Sequence, residues 1–136
     1  MGNLNIKESF EKELIVNFSK KYKTIPSKFH YDLKGSKYFE KITKAKEYYI
    51  TRIEKEILKK IAPKIHSMFG GALAFVEFGS GSTEKIKILL NNQVKFYIPL
   101  DISFDFIKES SKKLIKSFSE LKIVPTYCDY AKYLRL

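Results

Sequence analysis

The residues best suited to chemistry lie between Phe75 and Lys85, where an apolar stretch, Phe75-Val-Glu-Phe, runs into Gly79-Ser80-Gly81 and then Ser-Thr-Glu-Lys85. Gly79 and Gly81 can adopt backbone angles closed to other residues, and without a Cβ they let a ligand approach the main chain. Ser82 or Thr83 is placed to cap a following helix, whose free N–H groups would point back at the same pocket. Glu77 falls at the carboxyl end of the strand, where open α/β sheets bind ligands, and an acid there suits a cationic group.

Two common nucleotide patterns fit this turn poorly. G-x-G-x-x-G requires glycine where Glu84 stands, and an acid would repel a pyrophosphate at a helix N-terminus. The G-x-x-x-x-G-K-[ST] phosphate loop is absent in both spacing and residue types. E-x-G-x-G is instead the pattern of Rossmann-like enzymes that bind S-adenosylmethionine (SAM), a cofactor with a positive end and no phosphate. A purely structural turn remains open on these residues alone.

Two later acids bear on the choice. Asp101 closes the apolar run from Val94 to Leu100, about 20 residues past the turn, the offset at which an acid meets a ribose hydroxyl pair. A third run, Leu121 to Thr126, leads into Cys128-Asp129-Tyr130, a carboxylate beside an aromatic ring that suits an adenine.

The elements that must position these groups follow from periodicity. From residue 72 onward the pattern is α/β: strand Leu73–Phe78, helix Thr83–Leu90, strand Lys95–Leu100, helix Ser103–Phe118 and strand Leu121–Thr126, with short connections. Phe106, Ser110, Leu114 and Phe118 mark the buried stripe of the second helix. Upstream the pattern is helical. Ile6, Phe10, Leu14, Phe18 and Tyr22 recur at four-residue steps over residues 5–23, before Pro26 breaks the run. An aromatic loop around Phe29-His-Tyr31 leads into a short helix with Phe39 and Ile42 directed inward. Thr51 and Glu54 form a capping box for a helix carrying Ile53, Ile57, Ile61 and Ile65. Pro63 should kink or split that helix, and Gly70-Gly71 should end it.

The composition bounds the rest. The 136 residues are 44% hydrophobic, with 9 Tyr and 11 Phe, enough for one folded domain with a core. A single cysteine, Cys128, excludes an intrachain disulfide and a Cys-based zinc site, and His30 and His66 are too far apart for a metal pair. No window has the length and apolarity of a membrane span, and the N-terminus lacks the regions of a signal peptide, which points to the cytoplasm. The net charge of +11 would attract polyanions, yet the 26 basic residues are dispersed among acids with no basic run longer than two. Nucleic-acid binding is therefore not favoured.

With these residues assembled, the chain resembles the SAM-dependent histidine N-alpha-methyltransferases of ergothioneine biosynthesis, the histidine-specific methyltransferase family. The matching stretches are Ile25-Pro-Ser-Lys-Phe-His-Tyr-Asp-Leu-Lys-Gly-Ser36, Phe39-Glu-Lys-Ile-Thr43, Glu47-Tyr-Tyr-Ile-Thr-Arg-Ile-Glu54, Val76-Glu-Phe-Gly-Ser-Gly-Ser-Thr-Glu-Lys85, Pro99-Leu-Asp-Ile-Ser103 and Asp129-Tyr130. The resemblance implies that Gly79, Ser80, Gly81 and Lys85 line the SAM site beside Glu77. It further implies that Asp101 binds the ribose and that Asp129 and Tyr130 hold the adenine. It places Tyr48 on the substrate carboxylate, Tyr31 near the substrate amine and Phe39 over the pocket, and it assigns no catalytic residue and no metal. Ile50, His30 and Cys128 depart from residues common in the family, where proline, an aromatic and glycine stand.

The implied architecture is a helical N-terminal region, residues 1–71, contributing to an amino-acid pocket. A partial Rossmann-like SAM-binding domain follows over residues 72–136, the first half of a class I methyltransferase sheet with about three parallel strands. The full sheet of this class continues past a third strand. The chain is thus expected to behave as the N-terminal part of an enzyme that methylates the α-amine of histidine or a related amino acid. Its exposed sheet edge should pair with a complementary C-terminal segment or drive self-association. An inactive SAM-binding remnant and a basic polyanion-binding protein are the competing expectations.

Overall fold

A computed structural model describes residues 2–69, 71 and 74–130, with side chains from residue 10 onward. The expected roles of Ile6 as a stripe residue, of Gly70 as a helix stop and of Leu73 as the start of a strand lie outside the described residues. The chain divides into two compact units, residues 1–30 and residues 31–136.

In the first unit, helix α1 spans Gly2–Phe18. It stops short of the expected Tyr22 because the Ser19 hydroxyl turns back onto the Ile15 carbonyl at 2.7 Å, competing for an acceptor of the last turn. A 3-10 turn, Ser27–His30, follows Pro26. Phe29 then packs edge-on against Phe10 at 4.6 Å, and Lys28 pairs with Glu13 at 2.7 Å, closing the segment on the helix.

The second unit carries the α/β pattern. Helix α2, Leu33–Ile42, is capped by Asp32, whose carboxylate accepts from the Gly35 N–H at 2.6 Å. Helix α3, Ile50–Phe69, begins one residue before the proposed box and runs through Pro63 without interruption. Its start is fixed by Arg52, whose guanidinium donates to the Ala45 and Lys46 carbonyls at 3.1 and 2.6 Å. Glu54 is consequently not a capping residue.

Strands β1 (Ala74–Phe78), β2 (Phe96–Asp101), β3 (Lys122–Ile123) and β4 (Thr126–Tyr127) form one parallel sheet. β2 lies between β1 on one side and β3 with β4 on the other, so β3 and β4 are two halves of the single third strand read from the sequence. The break falls at Val124-Pro125, since proline has no N–H for the ladder. Helix α4, Phe104–Ile115, joins β2 to β3.

The helix expected over Thr83–Leu90 is replaced by a 3-10 turn at Ile86–Ile88. The buried Thr83 hydroxyl donates to the Ser110 carbonyl of α4 at 3.3 Å instead of capping. An uncapped segment of about two turns does not sustain an α-helix.

The core comprises Ile86, Leu90, Val94, Tyr97, Leu114 and Leu121, flanked by Phe75, Leu89, Phe118 and Ile123. Phe75 and Tyr97 are register partners on β1 and β2, which places this core on one face of the sheet. On the opposite face Val76 and Phe78 are each about half exposed, at 50% and 51%. α3 packs with Ala62 inward, and His66 Nε2 lies 2.9 Å from the Leu89 carbonyl, a packing role. Of its expected stripe, Ile53, Ile57 and Ile61 are exposed and Ile65 is partly buried, and Phe39 and Ile42 of α2 are exposed as well, contrary to the inward placement that periodicity implied. No described helix is long and apolar enough to cross a membrane, and no group of His, Cys, Asp and Glu among the described residues could hold a metal ion.

Candidate functional site

β1 delivers the chain to the glycine turn at the carboxyl end of the sheet. Gly79 and Gly81 both take positive φ, 64° and 49°, in the region open to glycine and strained for other residues. The Gly79 N–H donates to the Leu100 carbonyl at 2.8 Å, which ties the turn to the end of β2. Asp101, the last residue of β2, then uses both carboxylate oxygens. Oδ2 accepts from the Gly81 N–H at 3.0 Å and Oδ1 from the Ser103 N–H at 2.8 Å.

The third strand completes the lip. The Cys128 N–H donates to the Asp101 carbonyl at 3.1 Å, so Asp129 and Tyr130 follow directly at the same sheet end. Asp129 is buried, and the Tyr130 ring packs edge-on against Phe78 at 5.9 Å. A Cβ on Gly79 would lie 3.0 Å from the Tyr130 hydroxyl. The turn is therefore glycine for two reasons, its φ and the ring placed over it.

Beneath the turn lies a second polar group. Glu77 shares the core face of the sheet with Tyr97, and the Tyr97 phenol donates a short hydrogen bond to its carboxylate. Burial pushes the Glu77 carboxyl above its ordinary range. The Tyr97 hydrogen bond and the nearby Lys85 oppose the shift, and Glu54 and Asp101 add to it. Burial and the Glu77 charge together push the Tyr97 phenol far upward. The Ser80 hydroxyl is buried beside this pair and makes no hydrogen bond of ordinary geometry. Lys85 reaches Glu54 Oε1 of α3 at 3.0 Å. Glu77 thus lies within electrostatic reach of two further carboxylates, Glu54 and Asp101, and of one ammonium, Lys85, a balance toward negative charge that complements a cationic ligand.

The three aromatic residues expected in an amino-acid pocket also come together. Phe39 contacts Tyr31 and Tyr48 edge-on, with ring centroids 6.1 and 6.0 Å away. One turn before Phe39, the buried Ser36 hydroxyl donates to Ser103 Oγ at 2.9 Å, joining α2 to the residue held by Asp101. A separate open depression of about 450 Å³ on α2, lined by Asp32, Lys34, Lys37, Tyr38 and Lys41, contains none of these residues. Glu54, Tyr97, Ser36 and Ser103 were not identified from the sequence as parts of the site. Tyr97 had a signal, its alternation along β2, whereas Glu54 was read as a capping residue, because the docking of α3 is not written in local periodicity.

Two predictions follow from this geometry. Gly79→Ala is expected to lower stability in urea by about 1 kcal/mol or more from the strained φ alone. Part of the loss should be recovered in a Tyr130→Phe background, and strict additivity would show that the ring does not crowd the turn. Glu77 carries the opposite sign. An acid raised in the folded state stabilises fully below the ordinary carboxylate range, and that contribution is lost as pH rises through the raised value. Glu77→Gln should accordingly melt above the parent near pH 7, with the gap closing below about pH 4. A pH-independent difference would refute the buried-carboxylate account.

The sheet end therefore carries a turn kept free of side chains, with Asp101 about 20 residues beyond it and Glu77 beneath it. Comparison with known proteins agrees. The family model "Histidine-specific methyltransferase, SAM-dependent" matches residues 10–136. The histidine N-alpha-methyltransferase of Mycobacterium tuberculosis (strain CDC 1551 / Oshkosh) is 28% identical over 131 residues, covering 93% of this chain and 40% of that protein. Ergothioneine biosynthesis protein 1 of Schizosaccharomyces pombe is 33% identical over 106 residues, 76% of this chain and 14% of that protein. N-methyltransferase dtpB of Aspergillus flavus is 27% identical over 114 residues, 80% of this chain and 32% of that protein. The chain thus spans well under half of each relative's length. With the glycine turn, Asp101 and Asp129-Tyr130 gathered at one sheet end, the match across nearly the whole chain shows that it belongs to the SAM-dependent histidine-specific methyltransferase family.

Proposed function

We propose that this chain forms the cofactor half-site of a SAM-dependent methyltransferase acting on the α-amine of L-histidine or a related amino acid. The observation that carries the reading is the convergence of Gly79, Gly81, Asp101 and Tyr130 at the carboxyl end of the sheet. Glu77, Ser80 and Lys85 form its floor. Asp101 retains lone pairs for a ribose hydroxyl beyond the two N–H groups it holds, since a carboxylate offers about four acceptor sites. Asp129 and Tyr130 provide a polar group and a ring for the adenine. Tyr31, Phe39 and Tyr48 form the amino-acid side, with Tyr48 on the substrate carboxylate, Tyr31 near the amine and Phe39 covering them. Residues 1–71 supply the helical substrate side and residues 72–136 the cofactor side. The free Cys128 thiol fits a reducing cytoplasm.

When bound, the cofactor supplies a sulfonium methyl group: the amine lone pair forms the N–C bond as the C–S bond breaks, and that electron pair stays on sulfur. The protein's contribution is placement. Holding reactants in line and excluding water accounts for about 7 to 11 kcal/mol in favourable cases. No residue is assigned as a general base, because an ammonium can lose its proton to water.

Calorimetry with S-adenosylhomocysteine tests the cofactor reading. Binding should saturate at one site and weaken at least about tenfold in Asp101→Asn, which retains one acceptor for the turn. Binding of a nucleic acid that falls steeply with salt and ignores Asp101, with no nucleoside binding, would favour the polyanion reading drawn from the +11 charge.

We further infer that the open side of the sheet receives a complementary α/β segment. Parallel sheets are covered on both faces, and β1 pairs only with β2 among the described residues, leaving Val76 and Phe78 half exposed. The relatives' additional length supplies candidates for such a segment. Without it the chain should self-associate at micromolar concentration in sedimentation, and Val76→Lys should suppress the association. A monodisperse, cooperatively unfolding parent would overturn the inference.

A further inference from the structure

The two halves of the proposed site are joined by a buried polar line whose serines received no role from the sequence. Ser103 occupies the N-cap position of α4, where a serine ordinarily spends its oxygen on the first free N–H groups of the helix. Here it makes no capping bond. Its Oγ instead accepts from the Ser36 hydroxyl at 2.9 Å, between residues that are 6% and 5% exposed. Ser36 Oγ also lies 3.5 Å from the Tyr31 carbonyl. On the other side, the Ser103 N–H is held by Asp101 Oδ1 at 2.8 Å, and Asp101 Oδ2 holds the Gly81 N–H at 3.0 Å. Polar contacts therefore run from Tyr31 through Ser36, Ser103 and Asp101 to the glycine turn.

We propose that Ser36 is a positioning residue for Asp101, acting through Ser103, so that the helix bearing Phe39 and the acid facing the ribose move as one body. Two hydroxyls facing each other away from water hold a fixed distance, because separation would leave both unpaired in a low-dielectric site. The rest of the α2–α4 contact cannot fix the acid in the same way. The Lys37–Glu109 ion pair, at 2.9 Å, lies half exposed on the surface and is screened by solvent. A shift of α2 on filling the amino-acid pocket is thereby transmitted to Ser103 and to the carboxylate that ties down Gly81. The proposal rests on the cofactor reading above, and it predicts that cofactor and amino acid bind with reciprocal coupling.

The test is a double-mutant cycle read in S-adenosylhomocysteine affinity. Ser36→Ala favours helix propensity and should leave a cooperative melt. It is expected to weaken binding about fivefold. Ser103→Ala should do the same, and the double variant should lose no more than either single. In an Asp101→Asn background the Ser36→Ala loss should disappear, and Ser36→Thr, which keeps the hydroxyl, should restore binding in the parent. An equal loss with and without the Asp101 carboxylate, or no loss in the parent, overturns the positioning role while leaving the cofactor site intact. Absence of binding by the parent itself sinks the cofactor reading and this inference with it.

Discussion

The Asp101 carboxylate is the constraint on which the rest of the site depends. By accepting from Gly81 and Ser103 it holds the glycine turn against the first residues of α4. Each end has its own reason to need the bridge. The turn consists of residues chosen for freedom of backbone angle, and α4 begins without a side-chain cap. One charged acceptor serving two main-chain donors replaces the helix N-terminus that the glycine motif led us to expect. Because charge-assisted hydrogen bonds are roughly twice as strong as neutral ones, this side chain is a strong tie among those that hold the turn, alongside the Ser110 hydroxyl on the Gly81 carbonyl. The same carboxylate thus serves the architecture and lies where the ligand would bind.

Below that bridge the structure accepts a local disadvantage. A carboxylate at Glu77 is desolvated among core residues, relieved by the Tyr97 phenol and by Lys85. A leucine there would favour the fold more. Such conflicts between local stability and polarity concentrate at functional positions. The surrounding charges are consistent with this. Glu54 reaches in from α3 to anchor Lys85, leaving the group with an excess of negative charge suited to a sulfonium and an ammonium.

Much of this was legible in the sequence because it rests on local rules. The strands were marked by apolar runs, the turn by Gly79 and Gly81, and the acids by their position just past strand ends, which a parallel sheet brings to one edge. The third strand was legible as a unit but not its break, although Pro125 carried the reason. The helix after the turn was misread because Thr83 finds its partner in α4, a contact between residues far apart in the chain. The α3 stripe was misread for a related reason. Periodicity identifies an apolar face but not the surface it meets, and Ile53, Ile57 and Ile61 stay about half exposed. The pairing of Ser36 with Ser103 was not legible for the same cause. Serine in a helix or at a cap has an ordinary local explanation, and only the folded chain shows the two hydroxyls facing each other.

The interrupted third strand has a consequence for the pocket rim. Past Pro125 the ladder resumes for only Thr126 and Tyr127, and a main-chain bond from Cys128 to Asp101 follows it toward Asp129 and Tyr130. Fraying of so brief a segment requires far less free energy than global unfolding. The turn opposite it is fastened by the Asp101 bridge. The break at Pro125 therefore puts the shorter run of ladder bonds on the tyrosine side of the pocket, opposite the side that the Asp101 carboxylate fastens.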